Sequence, residues 1–103
     1  MNIERDPQGF LTNLADWNAD VAKEIANEEG IELRASHWEI ITALRDFYEE
    51  FEISPAMRIL VKHCRQKLGE EKGNSIYLMQ LFPGSPAKIA SKIAGLPKPT
   101  NCL

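Results

Sequence analysis

The chain has 103 residues, 44% apolar and 26% charged, which fits one small domain with a single core. No window approaches 18 uncharged apolar residues, and the start MNIERDPQGF has neither a basic flank nor an apolar signal core, so membrane insertion and export are not expected and the cytoplasm is. The net charge of -3 hides an asymmetry: residues 1–53 hold 13 Asp and Glu against 4 Lys and Arg, whereas residues 54–103 hold 2 against 8.

The opening segment predicts two short strands around the turn Asp6-Pro7-Gln8-Gly9, where Pro suits the second turn position and Gly the last. Asn18 caps a helix over Ala19 to Glu29, whose Val21, Ala22, Ile25 and Ala26 form one apolar stripe before Gly30 stops it. Ser36 with Glu39 three residues later fits a capping box and opens a second helix through Phe51. Its Ile40, Ile41, Leu44, Phe47, Tyr48 and Phe51 recur at the period of a core-facing helix. Asp46, Glu49, Glu50 and Glu52 form its wet side, and with no second cluster of ligands nearby no metal site is expected.

Ser54-Pro55 reads as a cap and first turn for a third helix that ends at Gly69. Met57, Leu60, Val61, Cys64 and Leu68 share a stripe, so Cys64 reads as a small buried hydrophobe. Arg58, Lys62, Arg65 and Lys67 take the other faces. Asn74 caps a fourth helix through Phe82, with Ile76, Tyr77, Leu81 and Phe82 offered to the core. Ser85-Pro86 opens a fifth over Ala87 to Ala94, closed by Gly95. The fold class is therefore mainly α, a small orthogonal bundle of about five helices with a short N-terminal β-hairpin.

Beyond Gly95, Pro97 and Pro99 forbid helix and predict an extended arm over residues 96–103, appended to a domain over residues 1–95. In a polyproline path of about 3.1 Å per residue the arm spans roughly 25 Å. It carries Cys102 one residue from its end. Two cysteines, Cys64 and Cys102, are too few for a secreted disulfide scaffold and are not spaced for zinc, so both are read as reduced thiols. Nearby Lys88, Lys92 and Lys98 favour a thiolate at Cys102, while the terminal carboxylate of Leu103 opposes it. A nucleophile on an arm lacks the fixed base that a self-contained enzyme needs, and neither His37 nor His63 has the local context of one. The pattern suits a carrier that visits successive partners.

Three stretches, GFLTNLADW, HWEIITALRDFYEEFEISPAMRILVK and LGEEKGNSIYLMQLFPGSPAKIASKIAGLPKPTNCL, together resemble the TusE/DsrC family of sulfur-relay proteins over nearly the whole chain. The most specific elements are KGNS, LFP, SPAK and the terminal GLPKPT-x-C-x. The resemblance implies a helical domain with a helix-turn-helix-like segment and a mobile C-terminal arm whose cysteine, here Cys102, carries sulfur as a persulfide. No cofactor and no metal is expected. DsrC-type members place a second cysteine in the helix before the arm, and here that position is Ser91, which forms no disulfide. The TusE-type relay survives that difference: Cys102 accepts sulfane sulfur from a TusBCD-like complex and passes it to a tRNA-thiolating enzyme that makes 2-thiouridine at the wobble position. Arg34 stands where members often have a capping Ser or Thr, so Ser36 is expected to take over the cap.

Two rival readings differ in class. One is a sulfite-reductase accessory protein working through Cys102 alone. The other is a helix-turn-helix DNA-binding regulator, suggested by the helix pair around Glu52 to Pro55 and the basic third helix. The acidic chain lacks the cationic surplus of a phosphate binder, so direct nucleic-acid binding is not expected, nor is a membrane partner.

Overall fold

The computed structural model describes residues 3–100. Its N-terminal segment departs from the predicted β-hairpin, because the described residues contain no strand and only one antiparallel bridge, Arg5 with Leu11. The turn itself forms: the Asp6 carboxylate accepts from the backbone N–H of Gln8 and Phe10 at 2.9 and 3.0 Å, and Gly9 takes φ +94°. What fails is the alternation. Phe10 and Leu11 are consecutive and both buried, at 1% and 6% exposure, whereas a pleated strand sends neighbours to opposite faces. A short 3-10 turn, Leu14–Asp16, follows and is capped by Asn13.

Helix α1, Ala19–Glu28, begins where Asn18 Oδ1 accepts from Val21 N–H at 2.9 Å. Its buried face is Val21, Ala22, Ile25 and Ala26, as the spacing predicts. Helix α2, Ala35–Phe51, starts earlier than the capping box at Ser36 predicts. Arg34 occupies the cap position, and His37 Nδ1 accepts its backbone N–H at 3.0 Å. The other ring nitrogen, Nε2, lies 3.0 Å from the Leu81 carbonyl, so His37 organises the start of α2 while tying it to the end of a later helix. Glu39 pairs instead with Lys72 at 2.8 Å. Ser36 is simply a first-turn residue.

Helix α3, Met57–Leu68, begins later than predicted, with Ala56 at its cap position. Ser54-Pro55 belongs to the corner before it, and the Ser54 hydroxyl is spent elsewhere. The α3 core face includes Leu60 and Cys64, both fully buried. His63 Nε2 lies 2.9 Å from the Ala43 carbonyl of α2, and its ring meets the edge of Phe47. Helix α4, Ser75–Leu81, is capped by Asn74, whose Oδ1 accepts from Tyr77 N–H at 2.8 Å. Its inward residue is Leu78. Ile76, predicted to face the core, is 73% exposed, because a helix of two turns can turn only one side inward and Leu78 and Phe82 claim it.

Helix α5, Pro86–Ile93, packs against α1, α2, α3 and α4. Small residues make this central position possible: Ala90, Ser91 and Ala94 are all fully buried and let neighbouring backbones approach. Ile25, Ile40, Ile41, Leu44, Leu60, Leu78, Phe82 and Ile93 fill the space around it. Each such side chain contributes about 1.5–3 kcal/mol by leaving water, against the chain entropy lost on folding. The molecule is thus mainly helical, with five helices around one core.

Candidate functional site at the root of the C-terminal arm

A helix end leaves backbone carbonyls without partners. At the end of α5 those carbonyls are met by side chains from elsewhere in the chain. Trp17 Nε1 donates to Ile93 O at 2.8 Å, and Arg45 Nη1 of α2 donates to Ala94 O at 2.6 Å. The Arg45 guanidinium also lies 3.9 Å from the centre of the Trp17 ring, a cation over a π face. Burial pulls the Arg45 pKa below its ordinary value, while the charge of Glu49 opposes that shift. An arginine there remains a cation and suits the negative end of the helix dipole.

Gly95 turns the chain out of α5 at φ +75°, and Leu96 N–H donates back to Ser91 O at 2.9 Å. A Cβ on Gly95 would sit 2.3 Å from Trp17 Cδ1, so the indole packs where only glycine leaves room. Leu96 is 2% exposed and belongs to the core cluster. Farther along, the Ser54 hydroxyl donates to Pro97 O at 2.5 Å. Pro97 and Lys98 face solvent, Pro99 is buried, and Thr100 lines an apolar groove with Phe47, Phe51, Ile53 and Ile59. Residues 96–100 of the predicted arm therefore run from the core to the corner between α2 and α3.

Cys102, the predicted persulfide-forming residue, lies outside the described residues, as does Leu103. Cys64 is fully buried, and desolvation pushes its thiol pKa up to about 11, which makes it a poor nucleophile. Ser91, at the position of the second family cysteine, is fully buried in α5, and its hydroxyl finds no hydrogen-bond partner among the described residues. Lys92 is held by Glu29 at 2.9 Å and so serves the packing of α5 on α1. His37 and His63 both act between helices. Among the described residues no three His, Cys, Asp or Glu side chains gather as metal ligands, and no helix is long and apolar enough to cross a membrane.

Sequence reasoning missed Trp17, Arg45 and Ser54. Trp17 and Arg45 act across 76 and 49 residues, which no local pattern reveals. Ser54 carried a signal, but the wrong one: before proline, a serine looks like a cap.

This arrangement, a helical domain whose central helix feeds an anchored C-terminal strip, is that of a known class. The chain belongs to the DsrC-like family, whose model, "DsrC like protein", matches residues 1–103. Among its relatives, the Sulfurtransferase TusE of Yersinia pseudotuberculosis is 55% identical over 101 residues, covering 98% of this chain and 94% of that protein. Solved structures agree in fold. DsrC of Allochromatium vinosum superposes with a TM-score of 0.90 at 50% identity, covering 100% of this chain and 92% of that one. The oxidized gamma-subunit of the dissimilatory sulfite reductase (DsrC) from Archaeoglobus fulgidus gives 0.85 at 40% identity, covering 100% and 94%.

Proposed function

We propose that the protein is a sulfur carrier in a persulfide relay, with Cys102 as the residue that holds the sulfur. The relatives of about this length named as sulfurtransferases support the relay. The observation that carries the reading within this chain is the contrast between its two thiols. Cys64 is fully buried with a raised pKa, whereas Cys102 follows a strip that runs from the end of α5 to the corner between α2 and α3, anchored by residues 1–95 and exposed where its described part ends at Thr100.

In the loading step the Cys102 thiolate attacks the outer sulfur of a donor cysteine persulfide. The donor's sulfur–sulfur bond breaks, the donor cysteine leaves as a thiolate, and Cys102 gains the terminal sulfur with its proton. Nothing is oxidised or reduced overall. In the unloading step Cys102 becomes the leaving thiolate, and the sulfane sulfur passes to an acceptor. The acceptor supplies the remaining catalytic groups, which suits a chain whose histidines are both engaged between helices. The donor is a TusBCD-like sulfurtransferase complex and the acceptor a tRNA 2-thiouridylase with its tRNA, both in the cytoplasm. Residues 96–103 act as the arm that presents the thiol to each.

A second reading is favoured by the likeness to a sulfite-reductase gamma-subunit, with Cys102 serving such an enzyme. Ser91 speaks against the two-thiol version of that role, since a hydroxyl forms no disulfide. Co-purification with a sulfite reductase would favour it.

The relay is tested by incubating the reduced protein with a persulfide donor and measuring intact and peptide masses. One added sulfur on Cys102 is expected, lost in Cys102→Ser and retained in Cys64→Ala. Sulfur found on Cys64 would overturn the assignment.

A further inference from the structure

The exposed large hydrophobic side chains of the described residues are Phe51, Ile53, Ile59, Ile76 and Met79, and they are not scattered. Phe51, Ile53 and Ile59 line the groove that receives Thr100. Ile59 continues with Met57 and Ser75 into a second groove, Ser75 leads to Ile76 and Met79, and Met79 rejoins Met57 beside the start of α5. These shared residues join the five into one strip across α3 and α4, beginning where the described arm ends. A strip of this kind marks an interaction surface.

Its charge is one-sided. Arg58, Lys62, Arg65 and Lys88 line the grooves beyond the arm and no acid does, while residues 53–69 contain four cations and no Asp or Glu. Arg58, Lys62 and Lys88 have no ion pair among the described residues. Acids flank the strip without lining these grooves: Glu50 and Glu52 beside Phe51 at the arm end, and Glu70 and Glu71 just before α4. Phosphate would satisfy the cations but leave five apolar side chains against a charged backbone, so the surface fits a protein better than a nucleic acid.

Position ties the strip to the sulfur. Cys102 is two residues beyond Thr100, a reach of about 7 Å along an extended chain. While the Ser54 bond holds Pro97, any protein that reacts with Cys102 comes close to Ile53 and Ile59.

We propose that the strip from Ile53 through Ile59 to Ile76 and Met79 is the docking face for the protein that donates sulfur to Cys102, and that the donor's matching surface is apolar with a border of carboxylates. This rests on the carrier reading above.

The test compares two sulfur sources on the full chain: an inorganic polysulfide, which needs no docking, and the persulfidated donor protein. Sulfur on Cys102 is followed by intact mass as donor concentration and salt are varied. Arg58→Glu with Lys62→Glu, and separately Ile76→Asp, are expected to raise the donor-protein concentration needed by about tenfold, leaving polysulfide loading and thermal melting unchanged. Added salt should slow the wild type toward the charge variant, and Lys23→Glu on α1 should behave as wild type. Unchanged protein-to-protein transfer in both variants would overturn the proposal. So would a wild-type dimer that the variants dissociate, which would assign the face to a second copy, or salt-sensitive duplex RNA binding lost in the variants. If wild-type Cys102 takes sulfur from neither source, the carrier reading itself fails, a result distinct from loss in the variants alone.

Discussion

Cys64 shows how one burial decides the chemistry of a residue type. Desolvation raises its thiol pKa from an ordinary 9.0 to about 11, so the folded chain holds that proton more tightly than the unfolded chain does. The sign of the linkage follows: stability from this group is fully present below pH 9, and it is lost as the pH rises toward 11, because the unfolded state releases its proton first. The loss is on the order of 2 kcal/mol over that window. Denaturant melts at pH 8 and pH 10.5 should show it in the wild type, and a shallower dependence in Cys64→Ala. That variant is expected to lose about 1 kcal/mol at neutral pH from the lost packing.

At the scale of the element, the five helices were legible because their apolar residues recur at three and four and because Asn18 and Asn74 cap as asparagine does. The starts of α2 and α3 were not. Ser36 and Ser54 present the local chemistry of caps, yet the α2 start is decided by His37, which faces Leu81, and Ser54 is drawn to Pro97, 43 residues away. The N-terminal hairpin failed for a related reason, since burying both Phe10 and Leu11 outweighed regular pairing. The end of α5 yields a prediction of its own. Gly95→Ala combines a left-handed backbone with a Cβ driven into Trp17, and it should cost about 3 kcal/mol or more. Thermal melting of that variant measures it, and a loss below 1 kcal/mol would show that Trp17 yields without penalty.

Across the whole molecule, the sequence's opposite-charged halves partly interleave: Lys92 of α5 pairs with Glu29 and Lys72 with Glu39, leaving α3 as the uncompensated basic stretch. Of the candidate site, only the proline-spaced strip was legible, because Pro97 and Pro99 mark it locally. The anchoring side chains are spread through three other parts of the chain and meet only on folding. Ser54 is one link between the domain and the arm, beside the buried Leu96 and Pro99, and Ser54→Ala removes one bond of about 1 kcal/mol. Backbone order parameters at Lys98 and Thr100 should then fall, while those in α1 and α4 keep their wild-type values. Equal order parameters at Lys98 and Thr100 in both proteins would mean that the Ser54 bond does not secure this stretch.

The indole of Trp17, bonded to the last turn of α5 and covered by the Arg45 guanidinium, is also a fluorophore placed at the anchoring post of the C-terminal strip. With Trp38→Phe it would be the sole tryptophan of the chain. Its emission then becomes an intrinsic, label-free optical gauge of whether that post stays fixed or loosens at each encounter with a partner.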